Sequence, residues 1–233
     1  MYKNILLKIS GETLAGEGKF GFDFEVLNKL CKNIKKLHLK KIKISIVIGG
    51  GNFMRGSELS NGVLDRVTSD YMGMLGTVMN SMALQSNLEK LGIQTRVMTA
   101  LNINQIAEPY IKRKASRHLE KNRVVIFAAG TGNPFFSTDT AAVLRASEMK
   151  CDVILKATKV DGIYDKDPHK NKNAKKIPKI SYSDFLNKEI KVMDATAISL
   201  AKDRNLPIVI FSILDSSNIV KIVDLKGKYS IIN

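Results

Sequence analysis

Apolar positions along the chain alternate between two patterns. Short, β-branched-rich runs cover Ile5 to Ile9, Lys43 to Ile48, Thr95 to Met98, Arg123 to Ala128, Asp152 to Lys156 and Pro207 to Ser212. Most are almost continuously apolar, as expected of strands covered on both faces. Between them, apolar residues recur at helical intervals over Phe24 to Leu39, Asp65 to Leu91, Asn104 to His118, Thr138 to Met149 and Ala195 to Arg204. This alternation predicts an α/β fold, a three-layer αβα sandwich around a mostly parallel central sheet, in a single domain spanning residues 1–233. The stretch from Asp65 to Leu91 is long for a globular helix, and Gly73 and Gly76 are expected to bend it. Asp161 to Pro178, rich in Lys, Asp, Asn and Pro, has little pattern and predicts a long surface excursion.

Composition narrows the class. The apolar share of 44% and charged share of 25% are ordinary for a globular protein. No run approaches the roughly 18 apolar residues of a spanning helix. The stretch from Met1 to Lys8 is too short for a signal peptide and reads as the opening strand. Cys31 and Cys151 stand far apart without a CxxC pairing, which predicts a cytoplasmic protein with two inert core thiols. Lys+Arg number 37 against 22 Asp+Glu, a net charge of +15. A nucleic-acid surface would carry such a charge, but the lysines are scattered and no RNA- or DNA-binding signature accompanies them. The excess reads as a solvated surface whose positive field would draw phosphorylated substrates.

Ligands of open α/β sheets bind outside the carboxyl ends of the strands, and there this chain repeats one chemistry. The first strand leads into Lys8-Ile9-Ser10-Gly11-Glu12 and the second into Gly49-Gly50-Gly51-Asn52, with Arg55-Gly56 close behind. The fourth leads into Gly130-Thr131-Gly132-Asn133-Pro134 and a helix start at Ser137-Thr138-Asp139, and the fifth into Lys156-Ala157-Thr158-Lys159. Glycines let backbone N–H groups close on an anion, helix N-termini add partial positive charge, and lysine and arginine supply full charges. Each segment alone is as readily an ordinary turn or cap; four in succession point to phosphate chemistry. Gly51 to Ser57 has the glycine spacing of a P-loop but no lysine after Gly56, and no GxGxxG opens a helix. His38, His118 and His169 are too scattered for a triad or a metal site.

The segments Lys8 to Glu12, Ile48 to Asn52 with Arg55, Asp70 with MGMLGTVMN (Met72 to Asn80), GTGNPFFSTD (Gly130 to Asp139), LKATKVDG (Leu155 to Gly162) and Lys191 to Asp194 together resemble the bacterial UMP kinases, a branch of the amino-acid kinase family, over nearly the whole chain. GTGNPFFSTD and MGMLGTVMN are the most particular to that branch. The resemblance implies transfer of a phosphoryl group from ATP, with Mg²⁺, to UMP. It implies catalytic roles for Lys8, Arg55, Asp139 and Asp194, with Asp139 the one possible metal contact. ATP would meet Lys8, Ile9, Ser10, Gly11, Gly51, Arg55, Thr158, Tyr164 and Asp167. UMP would meet Gly50, Asp70 and the loop Thr131, Gly132, Asn133, Pro134, Phe135, Phe136, Ser137 and Thr138. Gly16, Glu17, Gly18, Lys19, Phe20 and Gly21 match a region linked to GTP activation, with Lys19 departing from the usual charge pattern. Ser69 stands where the pattern has glycine. A homohexamer and UTP inhibition are further implications.

A UMP phosphate is largely ionised at neutral pH, so the attacking group needs no general base, and the obstacle is repulsion between two polyanions. The absence of a candidate catalytic histidine fits that reaction. Three alternatives stand beside it: a sister kinase acting on a carboxylate or carbamate, a nucleotide sensor without turnover, and a basic nucleic-acid-binding module.

Overall fold

The computed structural model describes residues 1–18, 20–54, 64–166, 168, 170–171, 173–215 and 217–233. In chain order its strands are β1 (Asn4–Ile9), β2 (Lys43–Ile48), β3 (Thr95–Thr99), β4 (Glu108–Pro109), β5 (Val124–Ala128), β6 (Val153–Thr158), β7 (Ile163–Tyr164), β8 (Lys176–Ile177), β9 (Lys179–Ile180), β10 (Ile208–Ser212) and β11 (Ser230–Ile232). The helices are α1 (Gly11–Leu14), α2 (Phe24–Leu39), α3 (Arg66–Lys90), α4 (Lys112–Glu120), α5 (Thr138–Glu148), α6 (Tyr182–Asn187), α7 (Ala195–Asp203) and α8 (Asn218–Val223). Among the described residues nine strands form one sheet in the order β4-β3-β5-β2-β1-β6-β10-β11-β9. From β4 to β10 every pairing is parallel; β11 runs antiparallel to β10 and takes β9 alongside. β7 and β8, both within the expected excursion, pair separately as an antiparallel ribbon.

Strand residues alternate between two cores. Ile5, Leu7 and Ile9 of β1 face α2, α3 and α8, whereas Leu6 packs with α4, α5, α6 and α7. The sheet is thus covered on both faces, which explains strands without a polar side. α2 opens at Asp23, whose carboxylate accepts from the N–H groups of Glu25 and Val26, and buries Leu27, Leu30, Cys31, Ile34 and Leu37 at helical spacing. Such a cap stabilises a helix by about 1 kcal/mol. Cys31 and Cys151 are free and buried, and burial pushes both thiols up to about 12.

One expectation requires correction. The helix read from Asn104 begins only at Lys112, because Glu108–Pro109 pairs with β3 as the outermost strand of the sheet. Proline drives the preceding residue toward extended backbone and lacks an N–H, which an edge strand tolerates. Gly73 and Gly76 both lie within α3, which runs from Arg66 to Lys90. Glycine at positions 50 and 76 lets the chain after β2 approach this helix closely. A Cβ on Gly50 would lie 2.5 Å from the Gly73 carbonyl oxygen, and one on Gly76 would lie 3.3 Å from that of Gly50.

Candidate active site

Parallel pairing of β1 with β6 puts Lys8 directly beside Lys156 near the carboxyl ends of both strands. Between the two ammonium groups lies Asp139, in the first turn of α5. Lys8 Nζ forms an ion pair with Asp139 Oδ1 at 2.7 Å. Lys156 Nζ donates to Oδ2. All three residues are more than nine-tenths buried. Burial pushes the Asp139 carboxyl up, but the ammonium groups, that of Lys8 foremost, outweigh it and hold the carboxyl below its usual range. Lys156 is pulled down to about 8, by burial first, with Asp139 opposing and Lys8 adding to the shift. One carboxylate between two buried cations leaves the cluster a net positive charge, ready for an anion.

Two helix starts frame it. Ser137 caps α5 by accepting from the N–H groups of Asp139 (3.0 Å) and Thr140 (3.2 Å). Its own hydroxyl donates to Asp194, which caps α7 by accepting from the Ala197 N–H at 2.7 Å. Thr140 Oγ1 also donates to Asp194, at 3.2 Å. Asp194 therefore ties the two helix N-termini together, and its charge favours the protonated form of Lys156.

The glycine turn after β2 closes the site from above α3. Gly49 donates to the Ile9 carbonyl at 2.9 Å. Gly11 packs so tightly here that a Cβ on it would lie 2.5 Å from the Gly49 oxygen and 2.6 Å from the Gly51 nitrogen. Asn80 of α3 donates to the Gly49 oxygen at 2.7 Å and exchanges hydrogen bonds with Asn52. Beside this turn a cleft is lined by Gly50, Asp70, Gly73, Thr131, Phe136 and Thr138. Asp70 accepts from Arg66 Nε and, at 2.7 Å, from the Phe135 N–H, which anchors the loop after β5. That loop runs through left-handed backbone at Ala129 (φ 61°), Gly130 (57°), Gly132 (81°) and Phe135 (71°).

The structure thus gathers Lys8, Ser10, Gly11, Gly50, Gly51, Asp70, Thr131, Thr138, Asp139 and Asp194 around the carboxyl ends of the central strands. Ile9 is present only through its backbone, since its side chain is fully in the core. Gly132, Asn133, Pro134, Phe135 and Ser137 belong to the loop but do not line the cleft. Thr158 turns its hydroxyl back to Val160, and Tyr164 donates to Asp161 at 2.6 Å while lining a separate cavity with Lys188 and Val192. Gly16, Glu17 and Gly18 line another hollow with Thr13, Val26 and Leu30, and Phe20 packs edge-on to Phe53 at 5.5 Å. Arg55, Lys19 and Asp167 lie outside the described residues. Ser69 is buried and returns its hydroxyl to the Asp65 carbonyl. Among the described residues no cluster of three His, Cys, Asp or Glu is placed to hold a metal ion. Sequence reasoning placed Lys156 among the strand-end cations but assigned it no catalytic or binding role; its signal was a lysine inside an apolar strand, repeated as Leu7-Lys8 and Leu155-Lys156.

Residues 3–212 match the Amino acid kinase family. A uridylate kinase of Rickettsia prowazekii (strain Madrid E) is 52% identical over 231 residues, 99% of this chain and 96% of the relative. The crystal structure of UMP kinase from Bacillus anthracis superposes with a TM-score of 0.96 at 39% identity, covering 100% of this chain and 96% of the other. That of Ureaplasma parvum gives 0.94 at 37% identity, covering 100% and 99%. The chain belongs to the amino acid kinase family, in its uridylate kinase branch.

Proposed function

We propose that the chain transfers the terminal phosphoryl group of ATP to UMP, giving UDP and ADP. The single observation that carries the chemistry is the buried Lys8–Asp139–Lys156 cluster under two helix N-termini. ATP, bringing Mg²⁺ with it as part of the substrate, lies over the ends of β1, β6 and β10. Its adenosine reaches toward Thr158 and Tyr164, and Asp167 is assigned there by resemblance. UMP occupies the cleft of Gly50, Asp70, Thr131 and Thr138. An ionised UMP phosphate oxygen attacks the terminal phosphorus of ATP, the bond from that phosphorus to the bridging oxygen breaks, and ADP leaves. No proton has to be removed from the nucleophile. Lys8 and Lys156 stabilise negative charge on the transferring group, and Asp139 holds both ammonium groups where that charge develops. Arg55 joins them by resemblance alone.

Assembly and regulation extend the reading. Val67, Tyr71, Leu75 and Met79, four residues apart along α3, form an exposed apolar stripe. The stripe supports a self-associating surface, and we assign a homohexamer, with GTP acting at Gly16 to Gly21 and UTP as inhibitor. No helix among the described residues is long and apolar enough to cross a membrane; the assigned location is the cytoplasm.

A coupled ADP-release assay across UMP, CMP, AMP, glutamate, aspartate and carbamate tests the proposal. Turnover with UMP well above the rest is expected. Equal turnover of CMP would remove the base assignment, and turnover of a carboxylate or carbamate in place of UMP would move the chain to a sister activity.

A further inference from the structure

We propose that Asn80, with its partner Asn52, is a positioning residue for phosphoryl transfer. It fixes the Gly49–Gly51 turn against α3, and with it the place where donor and acceptor phosphates meet. The inference rests on the kinase reading above but concerns a part of the MGMLGTVMN segment that this reading leaves unused.

Asn80 and Asn52 are buried to 0% and 1% exposure. Their amides are fully engaged with each other and with two carbonyls. Asn52 Nδ2 donates to Asn80 Oδ1 and to the Gly21 oxygen, both at 2.9 Å. Asn80 Nδ2 donates to Asn52 Oδ1 and to the Gly49 oxygen, both at 2.7 Å. The Gly21 and Gly49 carbonyls can only accept, so a nitrogen must face each, and this sets both amide orientations. Buried amides are a costly way to fill space, because leucine of similar shape would need no partners. What the asparagines add is a directional grip on a glycine that offers no side chain to hold.

Gly49 is held through both its backbone groups, its N–H by Ile9 of β1 and its oxygen by Asn80. Three residues earlier on the same face of α3, Thr77 Oγ1 accepts from the Ala129 N–H at 2.7 Å, beside Gly130 of the acceptor loop. One turn of α3 therefore clamps both halves of the site. On the far side, Asn52 is joined to Gly21 by two hydrogen bonds, side chain to oxygen and Gly21 N–H to Asn52 oxygen at 3.0 Å. Gly21 is thus linked to Gly49 through two amides.

The test compares Asn80→Leu, Asn80→Ala and the double variant Asn52→Leu/Asn80→Leu, with kcat, KM for UMP and ATP, and Tm measured on each full chain. Asn80→Leu strands the Asn52 amide and the Gly49 oxygen, so Tm and kcat both fall. A small misplacement of reacting groups lowers kcat by about 10- to 100-fold, while both KM values stay within about threefold because substrate contacts remain. In the double variant the stranded Asn52 amide is gone, so Tm recovers in part, but nothing grips Gly49 and kcat stays low. Should the leucine variants fail to fold, Asn80→Ala leaves room for a water that satisfies the same groups without fixing them, and kcat still falls at unchanged KM. Recovery of kcat together with Tm in the double variant would overturn the proposal. So would an Asn80→Ala enzyme with kcat within about twofold of the parent.

Discussion

The charge cluster at the ends of β1 and β6 and the loop after β5 meet at α5, whose first turn carries Asp139, and are built in opposite ways. In the cluster, three ionised side chains are almost wholly buried, and each carboxylate oxygen of Asp139 meets an ammonium. In the loop, Phe135 and Phe136 stand 67% and 50% exposed, the backbone passes repeatedly through left-handed conformations, and Thr77 and Asp70 tie it to α3. Groups that must stabilise a transition state gain most from being set in place beforehand, out of water. Groups that recognise a substrate gain from remaining reachable. The molecule therefore puts its costly buried charges where bonds change and leaves recognition to a tethered loop.

Breaking the buried side should have the largest effect. Asp139→Asn leaves two buried ammonium groups facing each other without the carboxylate between them. Removing one partner of a buried ion pair costs about 3–5 kcal/mol of stability, and kcat should fall by about 10³-fold or more. Denaturant unfolding and steady-state kinetics read the two losses, and a variant of near-normal stability would mean the pair is better hydrated than its burial indicates. Lys8→Met should lower kcat by about 10²–10³-fold with the KM for UMP nearly unchanged; near-normal kcat in a folded variant would remove Lys8 from the chemistry.

Acidity sharpens the contrast. With Lys156 drawn down to about 8 by burial, kcat/KM should decline as pH rises past that value, because the free enzyme loses a charge the transferring group needs. Bound phosphates favour the charged lysine, so kcat should hold to higher pH. Lys156→Arg, which keeps its charge, should flatten the descending limb. Stability moves the other way. Between about 8 and the ordinary 10.5 the unfolded chain holds a proton the native lysine has lost, so the Lys156 contribution to stability rises with pH across that window.

On the loop side the effect should be smaller and of another kind. Asp70→Asn weakens the surface ion pair with Arg66, worth about 0.3–0.5 kcal/mol, and the charge-assisted bond from the Phe135 N–H, worth about 1.5–3 kcal/mol. The KM for UMP should rise by about tenfold while kcat stays within about threefold. A fall in kcat equal to that of Lys8→Met would erase the division between the two regions.

Sequence periodicity located the six long strands to within a residue or two, because strands covered on both faces leave unbroken apolar runs. It missed β11, whose Ser230–Ile232 is too short to establish a pattern, and it ran α4 through Pro109. At the site, glycines and hydroxyls at strand ends were legible because phosphate binding restricts residue type. The Lys8–Lys156 pairing was not, since it depends on the register between distant strands. Nor was the Asn52–Asn80 pair, for two asparagines far apart in sequence carry no sign that they will share one buried point.

The central place of β1 has a kinetic consequence. Its neighbours are β2, which follows soon after in the chain, and β6, which comes only after four further strands and most of the helices. Closing so long a loop is slow relative to forming local helices. The two lysines thus meet late on the path to the native state, and a chain refolding from denaturant should regain most of its helical signal before it regains turnover.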